Sequence, residues 1–193
     1  MFALGSSASA DPIASIYAGA GRSTSAESSG VTGSMIAGGS VRFPRGTGPW
    51  STIVSFDARR ISAEDDVQVG DHTRINDARG FGLRGLAGLR VQSRGVARVF
   101  AQLSIGVERD SATYEQSMRL GPALPEVTQE HPSSWGVVLE PAFGFSLHSG
   151  PVAFGVRLSV SWSGIEPLMP VPIHTEPRKV PDVFLTLFTD LAL

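Results

Sequence analysis

Residues Trp135 to Trp162 read W-G-V-V-L-E-P-A-F-G-F-S-L-H-S-G-P-V-A-F-G-V-R-L-S-V-S-W, and this stretch decides the fold. Every second residue from Trp135 gives Trp135, Val137, Leu139, Pro141, Phe143, Phe145 and Leu147. The interleaved set is Gly136, Val138, Glu140, Ala142, Gly144, Ser146 and His148. After the turn signal Ser149-Gly150-Pro151 the alternation resumes, with Val152, Phe154, Val156, Leu158, Val160 and Trp162 against Ala153, Gly155, Arg157, Ser159 and Ser161. Side chains on a strand point to opposite faces with period two, so the stretch predicts a hairpin with one apolar and one polar face. Each arm is about ten to fourteen residues long, against roughly five or six for an ordinary strand. The polar face carries charges in mid-strand, Glu140 and Arg157, among small residues. Pro141 removes one ladder hydrogen bond, but parity is unchanged across it, which predicts a local dent in an unbroken strand.

The same period extends outward in both directions. Val31–Phe43, Trp50–Arg60, Phe81–Val91 and Ala97–Arg109 alternate clearly. Ile13–Arg22 and Val183–Leu193 are the first and last strands. Pro44–Pro49, Ser93–Gly95 and Ser149–Pro151 are short turns rich in Gly and Pro. Ser23–Gly30, Ile61–Arg79, Asp110–Ser134 and Gly164–Pro181 read as long loops. About eight long strands joined alternately by short turns and long loops are the signature of a transmembrane β-barrel.

The 193 residues suit one domain. A net charge of -2 gives no bulk attraction to nucleic acid. The absence of cysteine excludes disulfides and thiolate metal sites. Lys179 is the one lysine, and every other basic residue is arginine, which suits buried pairing with carboxylates. No apolar run is long enough for a transmembrane helix. Ser7-Ala8-Ser9-Ala10 before Asp11 has the small-residue character of a signal-peptide cleavage site. Residues 1–10 are therefore expected to be the remnant end of a signal peptide, and 11–193 a single barrel domain.

From about Ile13 to Leu193 the pattern resembles the small eight-stranded outer-membrane β-barrels, the OmpA/OmpX-like group. Such proteins end on an apolar, usually aromatic, residue; Leu193 is apolar but not aromatic. The resemblance implies an all-β fold, an eight-stranded antiparallel up-and-down barrel in the bacterial outer membrane, with termini in the periplasm and loops outside the cell. The apolar faces then meet lipid, and the small and charged residues fill the lumen. A soluble lipocalin-like barrel that binds an apolar ligand would have the same period with the faces reversed.

The lumen is expected to hold Asp57, Arg59, Arg84, Arg90, Arg98, Glu108, Glu140, Arg157 and Asp190 as a salt-bridged network, since unpaired burial would be costly. An aromatic girdle is expected from Phe81, Trp135 and Trp162 at one rim and Phe43, Trp50, Phe145 and Phe154 at the other. Arg60 and Arg109 have lipid-facing parity but lie at the loop ends of their strands, where they can contact lipopolysaccharide phosphates. Glu64, Asp65, Asp66, Asp71 and Asp77 crowd one loop, and Glu115, Glu126 and Glu130 another; divalent cations could bridge them to the same phosphates.

No catalytic residue is assigned. His148 and Ser149 are adjacent, so on a continuing strand they would face opposite ways. His72, His131 and His174 fall on separate loops, which predicts no metal site. Pro167–Pro172 reads as a rigid loop segment. The expected role is structural or surface-interactive, in a monomer without cofactor, with outer-membrane lipid, lipopolysaccharide and an extracellular loop ligand as partners. A narrow channel and a lipid-A-modifying enzyme are the other classes the pattern admits.

Overall fold

The structure is a computed structural model that describes residues 11–22, 33–69, 72–119, 126–130, 133–164 and 181–193. The expected signal remnant at residues 1–10, His131, His174 and the segment 167–172 lie outside the described residues.

The strands are β1 (Ile13–Arg22), β2 (Gly33–Pro44), β3 (Trp50–Val69), β4 (His72–Gln92), β5 (Ala97–Arg119), β6 (Glu126–Glu130), β7 (Ser133–Ser149), β8 (Val152–Ser163) and β9 (Asp182–Ala192). All pairings are antiparallel. β1 pairs with β2 and β9, and β4 pairs with β5, so the sheet closes on itself. Eight strands form the barrel; β6 lies outside it, paired with the far end of β5 from Tyr114↔Glu130 to Met118↔Glu126. Closure removes the unpaired edges of an open sheet.

The register sets the barrel's width. From Pro44 the Cα partners run through Ser51, Arg90, Gln102, Ala142, Ser159, Phe184 and Gly21. The track returns to β2 at Ser34, ten residues from its start. With ordinary strand spacings this stagger gives a tilt of about 40° and a backbone radius of about 8 Å. So narrow a cylinder has room for side chains and little else.

The two ends of the barrel differ. At one lie the described chain ends and three short turns, where Gly46, Gly95 and Gly150 adopt positive φ that an L side chain rarely takes. We call this the turn end and its opposite the loop end. Here the structure corrects the sequence reading. Ile61–Arg79 is a hairpin, paired without interruption from Trp50↔Val91 to Val69↔His72. Asp110–Ser134 likewise contains the outer part of β5, all of β6 and the start of β7. β3, β4 and β5 have 20, 21 and 23 residues, against 10 to 12 for β1, β2, β8 and β9. The extra length carries a ridge of sheet roughly 20 Å beyond the rest of the loop end. Charged and polar residues occur there at both parities, so the period-two alternation of the barrel wall disappears while the strand continues.

Pro141 produces the expected dent. It keeps its place opposite Leu103 of β5, but the β7–β8 pairing passes from Leu139↔Trp162 to Ala142↔Ser159 without it. Parity is preserved, with Val138, Glu140 and Ala142 all buried.

Candidate functional site

The two faces of the wall have opposite chemistry. On the outside, Phe143 is 64% exposed, Leu187 66% and Ile105 58%. On the inside, Arg84 and Glu108 are 0% exposed. This is the reverse of a soluble barrel, and it excludes the lipocalin-like arrangement with apolar residues lining a central pocket. Soluble monomers rarely expose a continuous apolar surface of more than a few hundred Å², yet here apolar residues surround the cylinder. Inward glycines let the filling approach the wall. A Cβ on Gly144 would lie 2.2 Å from the ring of Phe100, and one on Gly155 would lie 2.4 Å from that of Phe188.

The lumen has two zones. In the loop-end half, Arg59 is a hub. Its Nε lies 2.5 Å from Glu108, its Nη1 2.5 Å from Asp182, and its Nη2 pairs with Asp110. Gly82 gives this hub room, since a Cβ there would strike both Asp110 and the Arg59 side chain. Arg84 is the second hub. It donates from Nε to Asp57 at 2.6 Å, reaches Glu140 at 3.1 Å and donates to Ser161 at 3.1 Å. Tyr17 donates its hydroxyl to Asp57 at 2.9 Å, and Phe184 lies beneath the Arg84 guanidinium. Six strands, β3, β4, β5, β7, β8 and β9, are thereby tied through two arginines. Each pairing recovers part of the several kcal/mol that burying an ion costs.

The turn-end half is built differently. Arg42 pairs with Asp190 at 3.1 Å and also donates to Gln92. Ser15 donates to the same Asp190 at 2.6 Å. Arg90 lies over the face of Phe100 at 3.5 Å from the ring centre, with Phe188 edge-on to Phe100. Arg157 lies over Tyr17 at 4.2 Å and donates to Thr186 at 3.2 Å. At the mouth, Ser146 Oγ and His148 Nε2 are 3.2 Å apart, with Gln92 against both. Ser146 is fully buried.

Of the nine charges expected in the lumen, Asp57, Arg59, Arg84, Arg90, Glu108, Glu140, Arg157 and Asp190 are buried. Arg98 is half-exposed, and its Nε is bound to the Gly95 carbonyl of the adjacent turn. Proximity to the turn offers it a backbone acceptor at less cost than deeper burial. Sequence reasoning did not put Arg42, Asp110 and Asp182 in the network. Arg42 has the right parity but adjoins a turn; Asp110 and Asp182 lie just past the limits drawn for their strands. Their parity, counted from Glu108 and Phe184, was the available signal.

The seven girdle residues are all exposed on the outer wall. Phe81 is opposite Arg60, Trp135 opposite Arg109, and Trp162 opposite Leu139, towards the loop end. Phe43, Trp50, Phe145 and Phe154 lie towards the turn end. Arg60 and Arg109 are exposed at the loop-end border of the apolar belt, and the Arg109 guanidinium rests over the Trp135 ring at 5.5 Å. Among the described residues no group of three His, Asp or Glu side chains is arranged to hold a metal ion.

No family model matches the sequence, and no curated protein matches it. Solved structures do. The attachment invasion locus protein Ail of Yersinia pestis, crystallised with the heparin analogue sucrose octasulfate, matches over 96% of this chain and 99% of its own, with TM-score 0.50 and 12% identity. Neisserial surface protein A matches over 94% of this chain and 96% of its own, with TM-score 0.51 and 12% identity. What is shared at such identity is the fold, that of the small eight-stranded outer-membrane barrels of the OmpA/OmpX-like group.

Proposed function

We propose that this chain is a bacterial outer-membrane β-barrel with a plugged lumen, whose work is done at the cell surface by its loop-end ridge. The observation that carries the reading is the inverted wall, with apolar side chains outside and charged ones inside. Only helices and closed barrels satisfy every backbone group in lipid. Aromatic residues at both borders of the belt fit the membrane–water boundaries. The turn end, with the described termini, then faces the periplasm and the ridge faces outward.

A structural or interactive role is favoured over conduction. The loop-end half of the lumen has an excess of carboxylates and the turn-end half an excess of guanidinium groups, in series along one narrow path. Each sign of ion meets a repulsive zone, in addition to the steric plug. An enzymatic role is disfavoured because the Ser146 hydroxyl is buried and, among the described residues, no carboxylate hydrogen-bonds the His148 ring to orient it.

The partners we propose are outer-membrane lipid and lipopolysaccharide, with Arg60 and Arg109 at phosphate level, for a monomeric barrel. Ail was crystallised with a sulfated ligand. Here the ridge strands have Glu64, Asp65, Asp66 and Asp77 against Arg74 and Arg79. That composition disfavours a polyanion and favours a cationic partner, or divalent cations bridging to lipid phosphate.

The reading is tested by refolding the chain into liposomes. The folded form is expected to migrate differently from the boiled form on a gel, to need detergent for solubility, and to leave planar bilayers silent. A chain that stays in solution without detergent and binds an apolar ligand would contradict it.

A further inference from the structure

The turn-end half of the lumen contains more positive charge than its own residues neutralise. Arg42, Arg90 and Arg157 are all buried there, and among the described residues Asp190 is the one carboxylate that forms an ion pair with any of them. Asp190 is engaged by Arg42 and Ser15. Arg90 is 4% exposed, its charged neighbours are Arg42, Arg157 and Asp190, and among the described residues no carboxylate lies within ion-pairing distance of it. Arg42 Nε, Arg90 Nε and Arg157 Nη2 are buried donors without an acceptor. A buried ion left uncompensated costs several kcal/mol, and guanidinium cannot escape by losing its proton.

Ring stacking compensates only in part. Phe100 covers one face of the Arg90 guanidinium, and Phe188 lies 5.6 Å away. The N–H donors point outwards in the guanidinium plane, at right angles to a stacked ring. Stacking therefore leaves the donor edge unused. The glycines at 144 and 155 preserve this arrangement, since a side chain at either would displace one of the two rings. The loop-end half shows what the same wall does when carboxylates are available: both of its arginines are ringed by them.

We propose that the turn-end half of the lumen is a binding site for a small inorganic anion, chloride or a phosphate-sized oxyanion, held on the donor edge of Arg90 with Arg42 and Arg157 contributing charge. The ligand supplies the acceptor that the sequence withholds. The site rests on the barrel interior alone and stands whether or not the ridge has the role proposed above.

The test uses the full chain refolded in detergent. Thermal unfolding is followed as chloride, or separately phosphate, replaces gluconate at constant ionic strength. The midpoint is expected to rise and saturate for the anion that fits, and to stay flat in Arg90→Gln. The proposal is overturned if the wild-type midpoint is flat for both anions, or if Arg90→Gln follows the wild type. Should Arg90→Gln fail to refold, crystals of the wild type grown with bromide as the sole halide, and with phosphate in a second set, decide the matter. Anomalous bromide density or phosphate density beside Arg90 supports the site. Density at the protein surface only, an adventitious ion only, overturns it, as does none.

Discussion

The two halves of the lumen solve one problem in opposite ways. Each buries arginines in a cylinder with little room. At the loop end, Arg59 and Arg84 meet five carboxylates, Glu108, Asp110, Asp182, Asp57 and Glu140. At the turn end, Arg90 and Arg157 rest on the rings of Phe100 and Tyr17 instead. The difference teaches that a filled barrel is not a uniform polar core. One half is an ion-pair lattice tying distant strands, and the other is a set of cations stacked on aromatic faces.

The comparison predicts unequal responses to removing a charge. Arg59→Met strands three buried carboxylates and is expected to destabilise the barrel by about 3–5 kcal/mol in urea unfolding from liposomes. Arg84→Met should cost a similar amount, with Asp57 and Glu140 left unpaired. Equal stability of Arg59→Met and the wild type would show that the lattice contributes nothing.

Glu140→Gln is milder, because Arg84 keeps Asp57 and the amide can still accept a hydrogen bond; about 1–3 kcal/mol is expected by the same measurement. Gly144→Ala probes the aromatic half. The added methyl meets the Phe100 ring, and overpacking of this kind costs about 1–3 kcal/mol. Arg90→Met has the smallest expected effect. It abandons no carboxylate, and a loss of about 1–2 kcal/mol of ring stacking is offset by relief of charge burial. Its unfolding free energy should lie within about 1 kcal/mol of the wild type. A loss as large as that of Arg59→Met would erase the distinction between the halves.

The wall was readable from the sequence because period two is a local property. Leu139, Leu158 and Leu187 declare their face through their own neighbours, and the opposite chemistry of the outer and inner faces enforces the alternation. The ridge was unreadable for the complementary reason. Residues 63–78 contain no apolar stripe, so a paired hairpin looked like an acidic loop. The pairings inside the lumen were also hidden. Arg59 and Asp182 are 123 residues apart and meet only because the stagger around the barrel brings β3 and β9 level across the interior. Period two says which way a residue points, but it contains no information on stagger, so the hubs could not be named even where their members were. Arg98 shows the remaining limit: beside a turn, inward parity does not guarantee a place in the network.

The central claim, that the apolar face is outermost, is tested most directly by spin labels. The chain has no cysteine, so single replacements give one label each. Leu139→Cys, Leu158→Cys and Leu187→Cys, refolded in liposomes, should show high collision rates with dissolved oxygen and low rates with a water-soluble nickel complex. Ser104→Cys and Ser159→Cys, on the inner face, should react slowly with both. Leucine positions open to the nickel complex, or shielded from both reagents as in a central pocket, would contradict the account.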